Sequence, residues 1–146
     1  MAEHTAIPLI LIPPQMKNAS INQCLLAGWL KEPESAGRLH HILDTLRGDR
    51  KQLQILFVDE TGYGPKPNQI REAQALLSNF GGSEHDFKVH QADDTAKGIL
   101  EYLSQNQTDL LILQKIHHNW LERLFMPSVV RHLSAHTPVP LLILPD

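Results

Sequence analysis

The sequence predicts a doubly wound α/β domain, a five-stranded parallel sheet with helices on both faces and an extra N-terminal edge strand. Three observations carry this prediction. Short apolar runs of strand type alternate with stretches of helical period, in the order β-α-β-α-β-α-β-α-β. The run DLLIL (109–113) is apolar after its first residue instead of alternating, as a strand covered on both faces must be, and it is expected to be central. Finally, MAEHTAIPLILIPP (1–14) and LSAHTPVPLLILPD (133–146) align without a gap, with His, Thr, Pro, Leu and Pro recurring in register.

Residues 1–14 make one strand more than the parallel unit needs, and IPLILIPP left in water is an aggregation hazard. The expected partner is its own repeat, with Ile7, Leu9 and Leu11 set antiparallel to Val139, Leu141 and Ile143, within one chain or across a homodimer. Residues 15–20 read as a linker and 21–146 as the domain proper. The first core strand is expected over Ile21–Leu30. A first helix follows, with Leu39, Ile42, Leu43 and Leu46 on one face, a cap near Ser35, and His40-His41 beside the apolar stripe. Gln52–Val58 is the second strand; it ends at Asp59-Glu60 and runs into TGYGPKP (61–67), a turn-rich loop and a candidate lip over a site. Ile70, Ala73, Leu76, Leu77 and Phe80 give a second helix stopped by Gly81-Gly82. After the strand Phe87–Gln91, a third helix carries Ala96, Ile99, Leu100 and Leu103 and is opened by Asp93-Asp94-Thr95. Past Asp109–Leu113, Trp120, Leu121, Leu124 and Phe125 start a fourth helix before the closing strand.

Composition narrows the function. A chain of 146 residues has room for one domain, and with 42% apolar and 20% charged residues it is an ordinary globular sequence. A net charge of −3 offers no basic surplus to neutralise a phosphate backbone, so nucleic acid is a poor partner. Cys24, the single cysteine, excludes an internal disulfide and any multi-cysteine metal site, and a reducing cytoplasm is the expected compartment. It falls inside an apolar strand and reads as a small core residue. No apolar run approaches the roughly 20 residues of a membrane span.

Ligands of open α/β sheets bind outside the carboxyl ends of the strands, where strand order reverses. Here those ends are Ala27-Gly28-Trp29, Asp59-Glu60 and Gln114-Lys115, the last followed by Ile116-His117-His118. Only the second is acidic. Asp59 and Glu60 fit a base or a metal pair, but such residues more often end a strand at solvent. QILFVDE with TDLLILQ resembles the acidic pair and phosphorylated strand of receiver domains. Gln114 then stands where the acceptor carboxylate belongs, and an amide forms no acyl phosphate. His117-His118 have no acidic partner close by in sequence, so no metal is expected. Trp29 and Trp120 are read as ordinary packing. No Ser-His-Asp set and no Gly-x-Ser-x-Gly elbow is present.

The segment DLLILQKIHHNWLERLFMPSVVRHLSAHTPVPLLILPD (109–146) resembles, without a gap, the closing part of the universal stress protein family. There a DLIVMG-type strand leads into G-x-x-G-x9-G-[ST], whose glycines let backbone N–H groups cradle ATP phosphates. In this chain the three glycine positions fall on Gln114, His117 and Pro127, and only Ser128 keeps its type. Pro127 has no N–H to offer an anion. The family's aspartate near the adenosine falls on Trp29. A helix starting at Pro127-Ser128 would still present the N–H groups of Ser128 and Val129.

The resemblance further implies dimers built by pairing last strands, and tandem members whose first domain ends in a strand like residues 1–14. The expectation is therefore a non-enzymatic, stress-related regulatory or interaction domain, homodimeric, with no cofactor and an unidentified protein partner. The alternative is a nucleotide (ATP or AMP) or small-anion sensor. Its rebuilt pocket would hold Trp29, Asp59, Gln114, His117, Ser128 and Val129.

Overall fold

The computed structural model describes residues 9–12, 20–27, 33–46, 51–114, 136 and 138–144. The elements among these residues are β1 (Leu9–Leu11), β2 (Gln23–Ala27), α1 (Pro33–Thr45), β3 (Gln52–Asp59), α2 (Pro67–Asn79), β4 (Phe87–Gln91), α3 (Thr95–Gln105), β5 (Leu110–Gln114) and β6 (Leu141–Leu144), with a 3-10 turn at Glu84–Asp86. They build one sheet in the order β1-β6-β5-β2-β3-β4. The last five strands in that order are parallel, and β1 is the antiparallel addition at the edge. The doubly wound parallel sheet with its extra strand is thus formed as expected, and the DLLIL strand lies between β6 and β2.

Two apolar layers explain why the sheet is covered on both sides. Side chains alternate across a strand. Cys24 and Leu26, with Leu53, Ile55, Leu110, Ile112, Leu142 and Leu144, pack under Leu39 and Leu43 of α1 and Ala73, Leu76 and Leu77 of α2. Their neighbours Leu25, Ala27, Leu56, Leu111, Leu113 and Leu141 face Ala96, Ile99, Tyr102 and Leu103 of α3. Two successive crossovers place α1 and α2 on one face. The return past β2 to β5 puts α3 on the other, so strand order reverses between β2 and β5.

Local chemistry sets the boundaries. The helix α1 begins at Pro33, so Ser35, expected as its cap, lies inside the first turn. Proline suits that place because its fixed φ is helical and the N–H it lacks would have had no partner. The chain leaves α2 through a Schellman arrangement, in which Gly82 N–H donates to Leu77 C=O (2.8 Å) and Gly81 N–H to Ser78 C=O (3.3 Å). The carboxylate of Asp94 caps α3 by accepting from Lys97 N–H at 3.0 Å. The strand β2 is shorter than the expected Ile21–Leu30, and β5 starts at Leu110, one residue later than expected. Asp109 instead turns its carboxylate back to accept the N–H groups of Asn22 and Gln23, both at 2.9 Å, and so ties together the entries of two central strands. The expected fourth helix lies outside the described residues.

The pairing foreseen for the two ends is formed within the chain: Leu9 opposes Ile143, Ile10 opposes Leu142, and Leu11 opposes Leu141. Prolines 8 and 13 bracket β1 and prolines 140 and 145 bracket β6. A proline cannot donate to a ladder, which suits strands as short as the three residues of β1 and the four of β6.

Candidate functional site

The strand ends where a ligand of this architecture binds are those of β2 and β5, on either side of the order reversal. Ala27 and Leu113 are register partners there, and Gln114 is the last residue of β5. Trp29, His117, Ser128, Val129 and Pro127 lie outside the described residues, as do Ile7, His118 and Trp120. Of the six candidates for a rebuilt pocket, Asp59 is the one whose side chain the structure describes.

Asp59 differs from the expectation of a carboxylate ending its strand in water. It is 5% exposed and is the buried charged residue of the described set, whereas Glu60 beside it is exposed. Its Oδ1 accepts from Thr61 N–H (3.1 Å), Thr61 Oγ1 (3.0 Å) and Gly62 N–H (3.0 Å), and its Oδ2 from Gly64 N–H (3.0 Å). Gly62 and Gly64 have φ of +86° and +78°. Such values turn successive N–H groups inward at little cost only for glycine. Burial works against the charge on Asp59. The hydrogen bonds from Thr61, Gly62 and Gly64 outweigh it, and the carboxyl sits below the ordinary aspartate range. TGYGPKP is therefore a loop folded around its own acidic anchor. The sequence signal for this was available: an aspartate followed by x-T-G-x-G supplies one acceptor and the inward-turning donors.

Nearby groups strengthen the same junction. Glu60 Oε1 accepts from Thr95 Oγ1 (3.1 Å), which ties the β3 loop to the start of α3. Ala92 N–H donates to Asp59 C=O at 3.1 Å. On the α3 face, Tyr102 O–H donates to Gln54 Oε1 (3.1 Å), and His90 Nε2 lies 3.1 Å from Glu101 Oε1. Burial raises the Tyr102 phenol above its usual range. Cys24 is buried in β2, and desolvation, reinforced by the charge of Asp109, pushes its thiol up to about 12.

His40 and His41 are both exposed on α1. His40 stacks on Phe80 with centroids 5.2 Å apart and lies 3.1 Å from Asp44. His40, Asp44 and Phe80, with Lys51 and Asn79, line a groove of about 130 Å³ at the amino end of the sheet, away from the carboxyl ends of the strands. Among the described residues, no three His, Cys, Asp or Glu side chains converge in a metal-binding group, and no helix is long and apolar enough to cross a membrane.

A parallel sheet that reverses its strand order beside β2, with helices on both faces, defines a doubly wound α/β domain of the kind that holds ligands at the reversal. The universal stress protein family model matches residues 29–145, and the chain belongs to that family. Solved structures agree on the fold. A universal stress protein from Archaeoglobus fulgidus is 14% identical with a TM-score of 0.52, covering 86% of this chain and 94% of its own. The protein UspA from Lactobacillus plantarum is 15% identical with a TM-score of 0.59, covering 87% and 99%. A second Archaeoglobus fulgidus structure, from strain DSM 4304, is 14% identical with a TM-score of 0.65. It covers 97% of this chain, which spans about half (50%) of that one. A further Archaeoglobus fulgidus structure, solved in complex with dAMP, is 13% identical with a TM-score of 0.51, covering 84% and 97%. No curated protein sequence matches the chain significantly.

Proposed function

We propose that this chain is a non-enzymatic regulatory or interaction domain, acting in the cytoplasm, in which the family's ATP site has been given up. Membership of the universal stress protein family supports a stress-related role. One observation carries the finer reading. The family match runs through 29–145, across the phosphate-cradle segment, yet its glycine positions hold Gln114, His117 and Pro127, and Trp29 stands for the aspartate. A proline has no N–H to give a phosphate, and a glycine position that carries a side chain denies the phosphate its close approach to backbone. The buried Asp59 adds support, because both its oxygens are engaged by its own loop rather than held ready as a base or ligand.

The reading of residues 1–14 as the last strand of a preceding repeat has support from coverage. Residues 21–146 are 126 of the 146, close to the 86–87% share matched by two single-length relatives. The relative of twice the length matches 97%, which takes in most of residues 1–14 as well.

Calorimetric titration with ATP–Mg, repeated with AMP and on Ser128→Ala, tests the proposal. No heat is expected at millimolar nucleotide. The complex of one relative with dAMP favours a second reading, a sensor pocket rebuilt around Trp29, Asp59, Gln114, His117, Ser128 and Val129. Saturable micromolar binding that Ser128→Ala weakens would put that reading first.

A further inference from the structure

At the amino end of the sheet, α1, the end of α2 and the start of β3 enclose the groove of about 130 Å³. Leu43 and Leu53, both buried in the core, give it an apolar floor. An aromatic surface lines it where His40 stacks on Phe80 with ring centroids 5.2 Å apart. Its charged groups are of opposite sign and come from different elements: Asp44 belongs to α1, and Lys51 immediately precedes β3. The Asn79 amide adds a neutral donor and acceptor at the last residue of α2.

These charges are not placed for the good of the helices. Both α1 and α2 end at the groove, and neither has a basic residue in its last turn. The last turn of α1 holds Asp44 instead, a carboxylate set against the negative end of the helix dipole. Natural proteins break such local rules chiefly where function asks for it. Asp44 and the two helix ends thus form a negative pole, with His40 Nδ1 lying 3.1 Å from the carboxylate, and Lys51 supplies a positive pole over the same leucine floor.

A groove of this kind selects by charge. A simple anion is repelled by Asp44 and the helix ends, and a simple cation by Lys51, whereas a molecule that carries both charges a few bonds apart satisfies each pole. Volume then sets the size. About 130 Å³ holds several water-sized groups but is well below the roughly 300 Å³ at which cofactor pockets begin. We propose that the groove binds a small zwitterionic amino acid with an aliphatic side chain, of the size of L-valine. The ammonium faces Asp44 and the helix ends, the carboxylate faces Lys51 and the Asn79 amide, and the side chain lies on Leu43, Leu53 and Phe80. The groove is at the opposite end of the sheet from the phosphate-cradle segment, so the proposal does not rest on how that segment is read.

Titration of the full chain with L-valine, followed in amide proton–nitrogen correlation spectra, provides the test. Saturable shifts centred on the amides of Leu43, Lys51 and Asn79 are expected, with an affinity in the millimolar range or tighter. Isobutylamine and isovalerate keep the side chain and one charge each, and both are expected to bind about tenfold more weakly, the worth of one hydrogen bond to a charged group. Asp44→Asn and Lys51→Gln, judged folded by unchanged spectra away from the groove, are expected to weaken valine by a similar factor. An absence of saturation with valine overturns the proposal. So does equal binding of either one-charge analogue, a set of shifts centred on the carboxyl ends of the strands, or an unchanged affinity in either folded variant. Should a variant not fold, the analogue series on the parent chain decides alone.

Discussion

Two glycines, both inside helices, are expected to respond to the same substitution with opposite sign. In α3, a β-carbon built on Gly98 would lie 2.7 Å from Val58 Cγ1, 3.0 Å from Ala92 Cβ and 3.3 Å from Val58 Cγ2. Rotating Val58 moves one methyl away only by bringing the other in, and the Ala92 methyl has no torsion that displaces it, so α3 itself must lift from β3. Overpacking of this kind costs about 1–3 kcal/mol, while replacing glycine by alanine in a helix returns about 0.8–1 kcal/mol. The net effect of Gly98→Ala is a loss of about 1 kcal/mol. In α1, nothing lies within 4 Å of the β-carbon position of Gly37, so Gly37→Ala keeps the full helical gain of about 1 kcal/mol. Unfolding entropy near 2.1 cal/mol/K per residue converts each change to about 3 °C for a chain of 146 residues. Thermal unfolding followed by circular dichroism should place Gly98→Ala about 3 °C below the parent and Gly37→Ala about 3 °C above it. A Gly98→Ala protein as stable as the parent would refute the close approach of α3 to β3 that fixes the strand-end region.

Two further perturbations test the buried groups. The carboxyl of Asp59 is held below its ordinary range, so the stability it contributes is complete above the unfolded-state pKa, about 4, and is lost as pH falls through the lower folded-state value. The expected behaviour of Asp59→Asn is a lower urea midpoint at pH 7 and a shallower acid limb than the parent, since an amide cannot accept on both sides of the loop; identical acid limbs in urea titrations from pH 7 to 3 would contradict this. With its thiol pushed up to about 12, Cys24 carries thiolate in roughly one molecule in 10,000 at pH 8. A disulfide reagent is therefore expected to leave the native protein unmodified and to label it at the rate at which urea opens the sheet, and fast labelling without urea would show that β2 is accessible.

The fold was legible in the sequence because burial on two faces leaves a mark that periodicity reads. The runs LLA of β2 and LLIL of β5 are continuous where a half-exposed strand alternates, and the stripes Leu39, Leu43 and Ala73, Leu76, Leu77 have helical spacing. Boundaries were less legible. A serine near the start of a helix is a generic cap signal, and in α1 it lost to Pro33, whose backbone is already helical. The apolar run places Asp109 at the head of a strand, but its carboxylate accepts the N–H groups of Asn22 and Gln23 instead. The role of Asp59 was the largest gap. Sequence ranks an acidic strand end by what it offers a ligand. The three-dimensional loop returns N–H groups to the same carboxylate and uses it up.

That last point bears on the proposed loss of a nucleotide site from a fold that persists. The reversal of strand order between β2 and β5 is built on apolar strands, and Leu25–Ala27 and Leu110–Leu113 are buried there. The phosphate cradle asks something else, glycines and an aspartate that the hydrophobic layers do not need, and in the proposed reading those positions fall on Trp29, Gln114, His117 and Pro127. Asp59 stands between the two cases. It sits at the carboxyl end of a strand, but its hydrogen bonds from Thr61, Gly62 and Gly64 hold its own loop. Its presence is thus explained by the fold and is no evidence for a surviving site. The weight of the functional reading rests on the positions that only a nucleotide would have kept.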